Sequence, residues 1–182
     1  MDQYRDHLGR LYDRPPDAPV VQRVSTYAVI LREDGKALII FPPWDTAHGT
    51  LPGGKIEPHE SMVEGLLRET FEEVRRRIRL LMDQPFFVIE SKYFNTFDDA
   101  NQFMQNLALA YLATAIGDEP EDNELPADEV VRVEWIDPRE LHAGNCHPFT
   151  LPIIKYFRET LWMRMHPQYL ERVWNDMRKQ KT

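Results

Sequence analysis

The chain has 182 residues, a mass of 21.5 kDa and a formal charge of −8, from 22 basic and 30 acidic side chains. That length suits one domain with a few added elements, and 42% hydrophobic with 29% charged residues is a globular composition, while the negative charge excludes a general nucleic-acid binder. The single cysteine, Cys146, excludes an intrachain disulfide and fits a reducing compartment; with no signal-like start and no long apolar run, the expectation is a cytoplasmic protein without a membrane partner.

In chain order, residues 1–22 are polar and carry Pro15, Pro16 and Pro19, so they read as an extended arm. Val24 to Leu31 predicts a strand, Asp34-Gly35 a turn, and Ala37 to Phe41 a second strand that Pro42-Pro43 ends. A loop then leads into Leu51-Pro52-Gly53-Gly54. Ser61 and Glu64 form a capping-box pair that opens a helix, on which Val63, Leu66, Leu67, Thr70 and Val74 make an apolar stripe. Strands follow near 85–93 and 103–115, then an acidic stretch from Asp118 to Glu129, a strand from Val130 to Ile136 and a short helical turn. Leu151 to Arg164 reads as a helix, and Pro167 opens another carrying Leu170, Val173, Trp174 and Met177 at helical spacing. The order of strands, helix, strands, helices predicts an α+β class with a mixed sheet. No internal repeat is visible.

The most informative stretch lies on the first helix. Glu69, Glu72 and Glu73 stand at i, i+3 and i+4, so they share one face with Cβ atoms roughly 5–6 Å apart. Like charges at that spacing repel by a few tenths of a kcal/mol per pair, roughly, even in water. A bound divalent cation reverses the sign of that cost.

Gly54, Glu60, Arg68, Glu69, Thr70, Glu72 and Glu73 also fit the spacing G-x5-E-x7-R-E-U-x-E-E, with U an aliphatic or similar residue, and Leu51 to Glu57 reads LPGGKIE before it. This pattern resembles the signature of the Nudix hydrolases, the MutT-like enzymes that cleave nucleoside diphosphates linked to another group X. The likeness covers roughly residues 23–160. It implies an α/β/α sandwich with a mixed sheet, and leaves outside it an N-terminal arm at 1–22 and a C-terminal helical extension at 161–182. Two positions depart from the signature: Arg75 stands where a glycine would cap the helix, and Arg76 where an aliphatic residue follows. Either Arg75 adopts a left-handed conformation at about 1 kcal/mol or the helix runs further.

The resemblance implies roles for these residues. Glu72 and Glu73 would ligate Mg²⁺ or Mn²⁺, hard cations that prefer oxygen, with a carbonyl from Gly53 or Gly54 and a share from Glu69. Glu69 would alternatively take a proton from the attacking water. Arg68 would hold a glutamate in place, and Glu60 would complete the shell or touch substrate beside Gly54. Glu129 or Asp128, ahead of Trp135, would add a late-loop carboxylate, with Glu124 a weaker candidate. Tyr93, 17 residues past Arg76, and Trp44 are candidate walls for a base. Ser91 stands where the ADP-ribose subclass has proline, which argues against that substrate. Thr150 is a weak candidate for a base contact.

The reaction implied is Mg²⁺-dependent hydrolysis of a small nucleotide, a nucleoside triphosphate or a dinucleoside polyphosphate, with a nucleotide sugar as alternative. A nucleotide-sensing module without turnover is a further reading, but it would lack a catalytic glutamate, and none is missing. The isopentenyl-diphosphate isomerase branch needs an early cysteine, whereas Cys146 comes late. Arg75, Arg76, Arg77 and Arg79 read as a solvated basic run. The histidines have no zinc spacing. Trp162, Trp174 and the last helix are equally suited to packing on their own domain and to joining two copies as a homodimer.

Overall fold

A computed structural model describes residues 2–6, 9–96, 101–116, 126, 128–162 and 164. Among these, nine strands form one mixed sheet. They are β1 (Gln3–Arg5), β2 (Leu11–Asp13), β3 (Val20–Leu31), β4 (Ala37–Phe41), β5 (Gly53–Lys55), β6 (Ile78–Leu80), β7 (Phe87–Asn95), β8 (Gln102–Ala115) and β9 (Arg132–Ile136). Helix α1 spans Met62–Val74, and α2 spans Leu151–Phe157 before continuing as a π-wound turn over Arg158–Trp162.

The sheet runs in the order β2-β1-β7-β8-β3-β4-β9, with β5 added to β3 and β6 to β8. Its spine is the parallel pair β3 and β8, in register from Val20 opposite Phe103 to Leu31 opposite Thr114. The β7–β8 pair is antiparallel, as are β4–β9 and β3–β5.

Strand alternation sorts side chains to opposite faces. Tyr27, Val29 and Leu31, with Ile39, Phe41, Ala110 and Leu112, pack against Ile153, Ile154 and Phe157 of α2. Ala28 and Ile30, with Leu38, Ile40, Leu109 and Tyr111, pack against Leu66 and Val74 of α1. Each helix thus covers one face, giving the three-layer α+β architecture. Leu67 departs from the expected stripe: it is 40% exposed, and the buried edge of α1 is Gly65, Leu66, Thr70 and Val74.

The N-terminal residues do more than extend. Strands β1 and β2 form a hairpin whose first strand runs parallel to β7, with Arg5 opposite Tyr93. Strand β3 starts at Val20, so it crosses the expected arm boundary. Trp162 is buried, and its indole N–H donates to the Gly35 carbonyl at 3.0 Å, so it packs on its own domain. The helix expected from Pro167, with Trp174, lies outside the described residues, as does Glu124.

Candidate active site

Two glycines and a capped helix build the acidic face. Ser61 Oγ accepts the Glu64 N–H at 3.2 Å while Glu64 Oε2 accepts the Ser61 N–H at 2.8 Å, so the helix start is fixed at both ends of the box. Just upstream, β5 brings Gly53 opposite Tyr27 and Gly54 opposite Thr26. Gly53 has φ +133°, and a Cβ there would lie 2.1 Å from the Thr26 carbonyl oxygen. A Cβ on Gly54 would lie 2.4 Å from Glu69 Oε2. At position 53 only glycine lets the backbone approach the sheet this closely, while a side chain at 54 would displace the Glu69 carboxylate.

Arg68 is the hub of the face. Its Nε donates to Glu60 Oε1 at 2.5 Å and its Nη2 to Glu60 Oε2 at 2.8 Å, a two-pronged pair. Its Nη1 donates to Glu69 Oε1 at 3.0 Å and Glu72 Oε2 at 2.8 Å, and Nη2 also reaches the Lys55 carbonyl at 3.1 Å. Glu60 further accepts the Glu57 N–H at 2.9 Å. The Arg68 pair chiefly, with that N–H, holds the Glu60 carboxyl down at about 2. Both Glu60 oxygens are directed at these partners.

Glu73 lies on the other side, accepting the Gly53 N–H at 2.7 Å. Burial pushes its carboxyl well above the usual carboxylate range, the Gly53 N–H opposes this, and the charges of Glu69, Glu129 and Glu72 add to it. Burial also raises Glu69, against the Arg68 contact, with Glu72 raising it further and Arg23 lowering it. Glu129, exposed in the turn closed by its N–H to the Pro126 carbonyl at 2.9 Å, is near enough for its charge to act on Glu73.

An all-oxygen set of Glu69, Glu72, Glu73 and Glu129 beside a side-chain-free Gly53-Gly54 backbone is the donor chemistry of a hard divalent cation. Among the described residues no three acidic, histidine or cysteine side chains already converge on one point. The reason is visible in the contacts: Arg68 draws Glu69 and Glu72 to itself, and Gly53 draws Glu73 away. Only one oxygen of each carboxylate is engaged in those bonds.

Beside this face lies a cavity of about 290 Å³. Its link to the carboxylates is Tyr27, which lines the cavity and stands opposite Gly53 in the sheet. Burial pushes the Tyr27 hydroxyl up to about 12, with Glu73 contributing. The floor carries Arg23, Asn106 and Ser91, neighbours across β3, β8 and β7. Arg23 Nε donates to Ser25 Oγ at 2.9 Å, and Ser25 Oγ donates to Asn106 Oδ1 at 2.9 Å. Aromatic walls close it: Phe149 meets Tyr27 at 5.3 Å and His147 at 4.4 Å, and His147 meets Trp44 at 5.3 Å.

The sequence candidates therefore divide between two places. Arg68, Glu69, Glu72, Glu73, Glu60, Gly53 and Gly54 gather on the acidic face, with Glu129 beside it. Trp44, Tyr93 and Ser91 line the cavity, where Tyr93 OH receives the Arg23 Nη1 at a long 3.5 Å. Gly54 and Glu60 do not line it. Thr150 is fully buried, shares a hydrogen bond with Thr50 at 2.6 Å and does not line the cavity. Cys146 is buried, which pushes its thiol up to about 12 and leaves it without nucleophilic character. Arg23, Ser25 and Asn106 were not singled out from sequence. The signal for Arg23 and Ser25 is their two-residue spacing, which puts them on one face of β3, while Asn106 is 81 residues from Ser25 and has no local signal.

A family model described as the NUDIX domain matches residues 21–157. The chain belongs to the NUDIX domain family. It is a Nudix hydrolase, a pyrophosphohydrolase of a family that typically uses a divalent metal. No curated protein matches it. Among solved structures, the MutT NUDIX hydrolase of Burkholderia pseudomallei is 27% identical, with 74% of this chain and 96% of that one covered at a TM-score of 0.54. The NUDIX hydrolase of Nitrosomonas europaea is 22% identical over 76% and 89%, TM-score 0.58. The dihydroneopterin triphosphate pyrophosphohydrolase of E. coli is 18% identical over 75% and 97%, TM-score 0.55. The last two share the fold. In this Nudix chain, no helix among the described residues is long and apolar enough to cross a membrane.

Proposed function

We propose that this Nudix hydrolase cleaves a nucleoside diphosphate linked to a group X, a nucleoside triphosphate or a dinucleoside polyphosphate, with the diphosphate over the acidic face and the base in the cavity. The observation that carries this reading is the adjacency through Tyr27: an aromatic-walled pocket opens beside a carboxylate face built on glycines. Flat rings suit aromatic walls, and at about 290 Å³ the cavity is at the small end of ligand sites, room for one base rather than two.

In this reading Glu72 and Glu73, with the Gly53 carbonyl and Glu129, would hold Mg²⁺ or Mn²⁺, and Glu69 would either share the ion or act as base. When bound, such an ion neutralises phosphate charge and makes water a better nucleophile. Glu69, raised by burial, is suited to receive a proton from the attacking water. Arg68 keeps Glu69 and Glu72 aligned along the helix, and Glu60 fixes Arg68. Arg23, between the cavity floor and Glu69, orients the substrate. Trp44, Tyr93 and Phe149 exclude water from the base.

The test is phosphate or nucleotide release from a panel of nucleoside triphosphates, dinucleoside polyphosphates and nucleotide sugars, with Mg²⁺ present. Glu72→Gln is expected to lower kcat by about 10²-fold or more. Unchanged turnover by that variant would sink the catalytic reading.

A further inference from the structure

Residues 2–6 and 9–14 lie outside the stretch matched by the family model, yet two of them, Arg5 and Asp6, line the cavity. The hairpin of β1 and β2 is anchored by ring contacts. Tyr4 is buried and meets Phe103 edge-on at 5.0 Å, and Tyr12 stacks on Phe94 at 4.4 Å. Lys92 pairs with Asp2 at 3.2 Å at the rim. From this anchored position Arg5 and Asp6 join the cavity lining.

The sheet register fixes which end they close. Tyr27, opposite Gly53, marks the end at the glutamates. Arg5 stands opposite Tyr93, Tyr93 opposite Met104, and Met104 opposite Val21. From Tyr27 to Val21 is six residues of one strand, about 20 Å at 3.3 Å each. The cavity runs along the sheet between those rows, with Arg23 between them, so the hairpin is the wall farthest from the diphosphate.

What that wall offers a ligand is set by which of its groups are already used. Asp6 is buried, and its carboxylate accepts the Arg10 N–H at 2.8 Å and the Tyr12 hydroxyl at 3.1 Å. Lys92 is held by Asp2. Arg5 is exposed and donates from Nη1 to the Gly9 carbonyl at 3.1 Å, which aims the guanidinium. Among the described residues, its Nε and Nη2 have no acceptor. The far wall therefore presents N–H donors bearing positive charge, in a chain whose net charge is −8.

We propose that the N-terminal hairpin is the specificity wall of this pocket, and that Arg5 donates to an accepting group on the part of the substrate farthest from the diphosphate. This rests on the reading of the cavity as the substrate pocket. The accepting group is the keto edge of a nucleobase seated in the cavity or, where a nucleotide sugar enters the cavity by its sugar instead, the carboxylate of a sugar acid, since a planar fork of N–H donors suits both.

The experiment compares full-length wild type with Arg5→Ala, Arg5→Lys and Arg5→Glu in steady-state assays with Mg²⁺. Two substrate pairs separate the sources: GTP against ATP, and UDP-glucuronate against UDP-glucose. Arg5→Ala is expected to raise KM about tenfold for the accepting member of one pair, the scale of one lost hydrogen bond from a charged donor, with kcat and melting temperature unchanged. Arg5→Lys recovers part of the loss and Arg5→Glu deepens it. The pair that responds names the source. Equal KM for wild type and Arg5→Ala on every hydrolysed substrate overturns the proposal, as does a loss of kcat across the whole panel with a lowered melting temperature. If Glu72→Gln abolishes turnover while Arg5→Ala changes nothing, the hairpin proposal alone fails. If wild type hydrolyses none of the panel, the assigned function fails first.

Discussion

Arg68 and Glu60 show how single residues divide labour on the acidic face. Glu60 is depressed to about 2 by its bond with Arg68, so its contribution to stability is present above its ordinary pKa of 4.5 and disappears as pH falls through about 2. The melting temperature of Glu60→Gln is therefore expected to lie below wild type at neutral pH and to converge with it near pH 2. Glu73 has the opposite sign. Its folded-state pKa is raised by burial, so the stability it contributes is full below 4.5 and is lost as pH rises through the raised value. At this scale the sequence was readable where a role depends on near neighbours, as with Glu69, Glu72 and Glu73 on one helix. It was unreadable for Arg23 and Asn106, whose meeting depends on two strands that come together only in the sheet.

Elements were legible in proportion to their length and punctuation. Helix α1 announced its start through Ser61 and Glu64, and the β3–β4 turn through Asp34 and Gly35, where Gly35 has φ +83°. Strands β1, β2, β5 and β6 have three residues each, too few for alternation to register. The end of α1 was left open by sequence, and the structure closes it. Arg75 takes the left-handed conformation, φ 52° and ψ 32°, and donates its N–H to the Phe71 carbonyl at 3.0 Å. The backbone does what a glycine would do there, at a conformational cost. Arg75→Gly is expected to stabilise the protein by about 1 kcal/mol, less whatever the guanidinium gains over the Phe71 ring at 5.9 Å. Urea unfolding of the two proteins checks this, and hydrolysis rates should match.

At the scale of the whole molecule, the fold tolerates a site that opposes its own stability. Three glutamates on one face, two of them raised, are held by one arginine and one backbone N–H. Glu73→Gln is expected to raise the melting temperature of chelator-treated protein, by about 2–4 °C for each kcal/mol of relieved strain. On the proposed reading Mn²⁺ stabilises wild type by about 2.7 kcal/mol at a hundredfold excess over Kd, and the same variant should lose that gain. A Glu73→Gln protein that still gains from Mn²⁺ as wild type does would remove Glu73 from the ligand set. The overall architecture was legible because alternating strands and amphipathic helices leave few layered arrangements.

The Arg68 hub also bears on the order in which the complex assembles. With all ionised, Glu60, Glu69 and Glu72 set three negative charges around one guanidinium, leaving two uncompensated, and Glu73 at the Gly53 N–H adds another to the face. A bare polyphosphate approaching that face is repelled. On the proposed reading, the nucleotide arrives already carrying its magnesium, or finds the ion in place, and free nucleotide in chelator competes poorly for the enzyme.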